Sequence, residues 1–187
     1  MTTERIVDSK RGMNGVTLPL ISQGLDSVRA YQFEIHFEIP TTVAGVESKF
    51  LTLAAKQVTQ IGFASEDIEV HRVNDKVFYP GKSSPEALTV TFDNQYQNKI
   101  SETLWNWYTS IYDPMNGTMQ TAGNFKAPKA TIIHLDPKGK PKYETTVYGV
   151  YPKSWKTAEF NYGTNEFHTI EVEFRYDFMD HGDSSSK

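Results

Sequence analysis

The sequence predicts a mostly β protein: a β-sandwich, or strongly curved, barrel-like antiparallel sheets, with one α-helix. Three observations predict it. Apolar and polar residues alternate with a period of two in 31–39, 88–92 and 167–178. Turn-forming residues separate strand-like runs at Asn74-Asp75-Lys76, at Asp136-Pro137-Lys138-Gly139-Lys140 and at Gly163-Thr164-Asn165. Only 94–112 places its apolar residues at helical spacing.

Residues 1–27 mix Gly12, Gly15, Pro19 and Gly24 with Val16, Leu18, Leu20, Ile21 and Leu25, which is too interrupted for a long regular element and apolar enough to bind a surface. They are expected to form an assembly arm. In 31–39, Tyr31, Phe33, Ile35, Phe37 and Ile39 share one face and Gln32, Glu34, His36 and Glu38 the other, a strand that Pro40 ends. A second strand is expected at 50–57. The runs 68–73 and 77–79 flank Asn74 and Asp75, which tolerate the backbone of a tight turn, and predict a protruding hairpin.

Leu88, Val90 and Phe92 then alternate with threonines. In 94–112, Ile100, Leu104, Trp107 or Tyr108, and Ile111 form one apolar stripe, with Asn94 and Gln97 spaced as a capping box or a start near Asn98. Pro114 biases Asp113 out of the helix. Strands at 129–135 and 142–150 enclose a bulged turn, and strands at 158–162 and 167–178 form a last hairpin. The chain thus divides into an arm (1–27), a β body (28–180) of about seven to nine strands, and a flexible C-terminal tail (181–187).

A chain of 187 residues has the size of one domain and buries roughly 70% of its unfolded surface. The lack of cysteine excludes disulfides, thiolate metal sites and a cysteine nucleophile, and fits folding in a reducing cytoplasm. No apolar run approaches the roughly 20 residues of a membrane-spanning helix, and 1–12 does not read as a secretory signal. The expectation is a soluble protein without membrane contact. A net charge of −4 with no cluster of lysine and arginine argues against a protein that grips phosphates.

No candidate chemistry stands out. His36, His71, His134, His168 and His181 lie in separate elements without metal-ligand spacing. Glu34 with Glu38, or Glu171 with Glu173, could pair as glycosidase carboxylates, yet acids decorate every polar strand face and no catalytic motif accompanies them. Trp107 and Tyr108 belong to the apolar stripe, whereas Trp105 lies off it and is free to meet another element or subunit. No catalytic residue, metal or cofactor is assigned. A monomeric β-sandwich that binds carbohydrate or lipid through its aromatics is the alternative from another class.

The order of elements resembles the tail tube proteins of contractile-tailed bacteriophages over about 27–180. The opening strand 31–39, the long hairpin 68–80 and the approach to the helix at 85–93 carry the resemblance. The most specific piece is KATIIHLDPKGKPKYETTVYGVYPKSWKTAEFNYGTNEFHTIEVEFRYDF, with Gly149, Tyr151 and Pro152 as a glycine-aromatic-proline element. The longer arm and the tail rich in His, Gly, Asp and Ser depart from compact members.

The resemblance implies a non-enzymatic virion subunit that self-assembles into hexameric rings, stacked as the inner tube of a contractile tail. The alternative within the same class is a baseplate tube subunit or the tube subunit of an injection or secretion system. Implied partners are further copies of the chain, the tail sheath protein, the tape measure protein and baseplate tube proteins, with DNA passing through unbound and assembly in the host bacterial cytoplasm. Ring stacking is expected at Val73, Asn74, Asp75, Lys76, Val77, Phe78 and Tyr79, together with the arm residues Val16, Leu18, Leu20, Ile21 and Leu25. The acids expected to face the bore are Glu34, Glu38, Glu171, Glu173 and Asp177.

Overall fold

A computed structural model describes residues 28–183 except Ala44, Val46, Gln60 and Thr164. The expected arm and residues 184–187 therefore lie outside the described residues. The chain separates into two units, Met1–Gln32 and Phe33–Lys187. In the first, a turn closes through the Gln32 N–H on the Arg29 carbonyl at 3.1 Å, and Arg29 donates to the Tyr31 hydroxyl at 3.0 Å. Tyr31 is exposed, so the opening strand starts two residues later than its alternation predicts.

The second unit carries the β body. Strand β1 (Phe33–Phe37) is followed by helix α1 (Ser48–Ala54), β2 (Ala55–Val58), β3 (Phe63–His71), β4 (Lys76–Pro85) and β5 (Leu88–Asp93). Helix α2 (Lys99–Ile111) leads to the short strands β6 (Tyr112–Asp113) and β7 (Thr118–Met119) and a helical turn α3 (Ala122–Phe125). Then come β8 (Ala127–Leu135), β9 (Pro141–Thr157), β10 (Thr169–Arg175) and β11 (Phe178–Asp183).

The mostly β, antiparallel class is as predicted, and three local readings change. The strand expected at 50–57 is helix α1 followed by β2: Leu51 and Ala54, three residues apart, are both buried, a helical spacing hidden inside a run that also alternates. No capping box forms. Helix α2 starts after Asn98, whose φ of 56° is left-handed, and Asn94 instead meets His168 at 3.2 Å. The strand expected at 158–162 is a loop, because β9 runs on through Pro152 to Thr157 and is itself the partner of β10. Pro152 is tolerated there because the β9–β10 register shifts beside it, at a bulge where no ladder donor is needed.

Seven strands form one sheet in the order β1-β8-β9-β10-β5-β2, with β11 added on β9. Strand β9 holds it together. Its first half pairs with β8 as far as Val150 and with β11 as far as Tyr148, and its second half, from Tyr151, pairs with β10. The sheet folds over along this strand, so that Ile35, Phe37, Ile132 and Val147 face Val90, Phe92, Val172 and Phe174 across one core. Phe37 touches Phe174 and Phe92 with ring centroids 5.1 and 6.4 Å apart. Helix α2 closes the core with Ile100, Leu104 and Trp107, each at most 1% exposed. The indole N–H of Trp107 donates to the Phe125 carbonyl at 2.8 Å.

Gly149 sits where β9 passes from one pairing to the other, at a φ of +68° that L side chains rarely adopt. A Cβ there would collide with the Asp177 carboxylate. Asp177 is fixed in turn: its N–H donates to the Tyr148 carbonyl at 2.8 Å, and both carboxylate oxygens take the Lys126 ammonium at 2.8 Å. Gly149→Val is therefore expected to cost about 2–4 kcal/mol, combining left-handed strain with loss of this arrangement. Urea denaturation measures it, and a loss below about 1 kcal/mol would contradict the role assigned to Gly149.

Asp177 lies between β10 and β11, so the single run expected over 167–178 is two strands. Ile170, Val172, Phe174 and Tyr176 keep to the buried face as predicted, whereas Phe178 is exposed because β11 has crossed to the other half of the sheet. Residues 181–183, expected in the tail, belong to β11. The 136–140 turn forms as predicted, with the Lys138 and Lys140 N–H groups donating to Asp136 Oδ1, both at 2.8 Å, and a register shift at Leu135. These backbone donors hold the Asp136 carboxyl below its usual pKa.

Candidate assembly interface

Strands β3 and β4 form their own two-stranded sheet. Of their nineteen residues, sixteen are exposed and three half-buried. The register puts Ile68 opposite Tyr79 and Val70 opposite Val77 on one face, while Glu69 opposite Phe78 and His71 opposite Lys76 occupy the other. Lys76 pairs with Glu69 at 3.1 Å on that second face. The hairpin is thus an amphipathic ribbon. On its apolar face Ile68, Val70 and Tyr79 are exposed and Val77 half-buried, and Val73 at the tip is 100% exposed.

A lone two-stranded ribbon is marginal in water, and an exposed apolar face of this kind marks a candidate interaction surface. The sequence-predicted residues divide accordingly. Val77 and Tyr79 lie on the apolar face, Val73, Asn74 and Asp75 at the tip, and Lys76 and Phe78 on the polar face. The arm residues Val16, Leu18, Leu20, Ile21 and Leu25 lie outside the described residues.

The five acids do not share one surface. Glu34 and Glu38 lie on the outer face of β1, where the pairing with β8, β9 and β11 also brings Glu144 and Asp180. Among the described residues this face sets those four carboxylates against Lys129 and Lys142, and Glu38 pairs with Lys129 at 3.0 Å. Glu171 and Glu173 lie on the outer face of the other half, with Lys153, Lys156 and Arg175. There the Lys153 ammonium donates to Glu173 at 2.7 Å and depresses its pKa. Two sheet halves that meet across a core present their outer faces in diverging directions. Glu171 and Glu173 therefore lie on a different surface from Glu34 and Glu38, and Asp177 is held at the crossover by Lys126.

Sequence reasoning missed Glu144 and Asp180. The signal was available in the alternation of 142–150 and in the turn at 136–140, which fixes the β8–β9 register. The reading of 167–178 as one strand hid β11.

The four strands β1, β8, β9 and β11 alternate in direction, each antiparallel to its neighbour. Among the described residues, β1 and β11 are the two edges of this four-stranded part that carry no further strand.

Among the described residues no group of three His, Cys, Asp or Glu could hold a metal ion. His36 approaches Glu34 at 3.2 Å, while His168 meets Asn94 and the Ala158 carbonyl, not a carboxylate. His134 stacks on Tyr143 with centroids 4.2 Å apart and His181 lies 5.4 Å from the same ring. Burial first, and the charge of His181 second, lower the His134 pKa from its usual 6.5. Trp105 remains half-exposed beside Trp155. No described helix is long and apolar enough to cross a membrane.

An amphipathic hairpin outside the main sheet and, among the described residues, a four-stranded part of that sheet with two unpaired edges define the class: a subunit shaped for joining to others. Residues 29–180 match the family described as T4-like virus tail tube protein gp19, and the chain belongs to that family. It is a tail tube subunit.

Solved structures share the fold. A chain of the anti-feeding prophage baseplate superposes with a TM-score of 0.64 at 12% identity, covering 84% of this chain and 96% of that one. A chain of the extended PVC sheath–tube complex, an extracellular contractile injection system, gives 0.63 at 15% identity over 90% and 99%. A chain of the PVC sheath/tube terminator gives 0.63 at 17% identity over 84% and 97%. A comparison with curated protein sequences finds no match.

Proposed function

We propose that this subunit closes into hexameric rings, that the rings stack as the inner tube of a contractile phage tail, and that the β1–β8–β9–β11 sheet lines the bore. The observation that supports this most is the parity of that sheet. Four alternating strands leave β11 running opposite to β1, so the β11 edge of one copy continues antiparallel onto the β1 edge of the next. Closure of such a series removes the free edges that otherwise invite uncontrolled pairing.

The bore-lining face is then that of Glu34, Glu38, Glu144 and Asp180. Its negative charge disfavours adhesion of a polyanion, so DNA passes through without being bound. The role is structural, without catalysis or cofactor. The tube first encloses the tape measure protein and later conducts the genome, inside the sheath and above the baseplate tube, and it is assembled in the host bacterial cytoplasm as part of the virion. Stacking uses the β3–β4 hairpin and the arm 1–27.

Native mass spectrometry of the full chain at rising concentration tests ring closure. The expected series is monomer, hexamer and multiples of the hexamer. An open series of every copy number, or a dimer that grows no further, would contradict a closed ring.

A further inference from the structure

Strand β5 connects two unlike ends of the β5–β10 pair. At the Leu88 end, opposite Phe174, the hairpin is rooted: the Glu86 N–H donates to the Gly62 carbonyl at 2.9 Å, and the Tyr176 hydroxyl to the same carbonyl at 3.1 Å. At the Asp93 end, opposite Thr169, two loops meet. The Asn94 N–H donates to the His168 carbonyl at 2.9 Å, joining the loop after β5 to the loop before β10. The two ends lie about 17 Å apart along the strand.

The Asp93 end carries a concentration of exposed aromatic side chains. Tyr96, Phe160, Tyr162 and Phe167 are each at least 82% exposed. The patch is built: Phe160 stacks on His168 with centroids 4.3 Å apart, and the His168 ring is held by Asn94 and by the Ala158 carbonyl. Glu159 and Glu166 lie between these aromatics in sequence. None of them belongs to the sheet seam between β1 and β11.

Resting on the tube reading above, we infer that this aromatic end is the acceptor for the β3–β4 hairpin of a second copy in the adjacent ring. A head-to-tail contact joins two different patches of the same molecule, which must sit at opposite ends for stacking to continue. The hairpin supplies one, an apolar face of Ile68, Val70, Val77 and Tyr79 with Val73 at its tip, and the aromatic end supplies the other. At the tip Arg72 and Lys76 are balanced by Glu69 and Asp75, with Lys76 paired to Glu69 at 3.1 Å, so the contact is carried by apolar and aromatic surface and not by charge. Aromatic side chains rigid enough to form a platform are the residues that dominate such contacts.

The absence of cysteine from the chain makes the test clean. Val73→Cys and Tyr162→Cys are introduced into separate batches of full-length protein, mixed, assembled and mildly oxidised. The expected result is a disulfide-linked pair about tenfold more abundant than in either batch alone, or than in a mix of Val73→Cys with Lys140→Cys, whose site is in the turn at the far end of β9. A yield no higher than in these controls overturns the inference.

In parallel, Phe160→Ser with Tyr162→Ser and Phe167→Ser is expected to keep the hexamer in native mass spectrometry and to raise the concentration needed for stacking about tenfold or more. Stacking at the wild-type concentration overturns it. Wild-type chain that forms neither rings nor stacks would instead sink the tube reading on which the inference rests.

Discussion

Trp107→Ala is expected to remove about 3–5 kcal/mol of folding stability, the largest effect of any single substitution argued here. Trp107 is fully buried at the meeting point of helix α2 and both halves of the sheet. Its ring lies edge-on to Phe37 at 6.2 Å and against Phe174 at 5.7 Å, so truncation opens a cavity bounded by elements that the rest of the core holds apart. The indole donor is lost as well, leaving the Phe125 carbonyl without that partner. In a body of this size, the melting temperature falls by roughly 10 °C. Trp105→Ala, on the same helix with its side chain half-exposed, is expected to cost under about 1 kcal/mol. Comparable losses from the two would refute the assignment of Trp107 to the core and Trp105 to the surface.

Val73→Asp combined with Tyr79→Ser has the opposite profile: little change in stability and a severe loss of assembly. Both residues are exposed on the hairpin, so folding of the body proceeds without them, within about 0.5 kcal/mol. If the hairpin makes the proposed stacking contact, removing an aromatic anchor while adding a charge at the tip is expected to raise the concentration required for stacking about a hundredfold. Sedimentation of assembled material against concentration reads the shift. A variant that sediments as the wild type removes the hairpin from the stacking contact, whereas one that also melts early shows the hairpin supporting the body.

Much of this was legible because period-two alternation reports a strand with one buried face directly. Ile35 and Phe37 in β1, Leu88, Val90 and Phe92 in β5, and Ile170, Val172 and Phe174 in β10 are all buried as their spacing indicates. Helix α2 was equally plain from Ile100, Leu104 and Trp107. What failed was local. The run FLTLAA alternates and also repeats at three, and contact with the core selects the helix. Pro152 looks like a strand breaker until a bulge removes the need for its donor.

The candidate surfaces were less legible, for a reason of topology. Alternation shows that Glu34, Glu38, Glu171 and Glu173 are on outer faces but not on which side of the molecule. That depends on β9 changing partners at Gly149, a feature carried by one glycine and the Asp177 that covers it. The aromatic end at Tyr96, Phe160, Tyr162 and Phe167 was invisible for the same reason, since Asn94 and His168 meet only once β5 and β10 pair.

Electron cryomicroscopy of filaments grown from the purified full-length chain tests the central claim most directly. The expected image is a hollow tube of stacked six-membered rings whose lumen is lined by the β1–β8–β9–β11 sheet, with Glu34, Glu38, Glu144 and Asp180 facing inward. A chain that remains monomeric under all assembly conditions, or a tube with that sheet face on its outside, would contradict it.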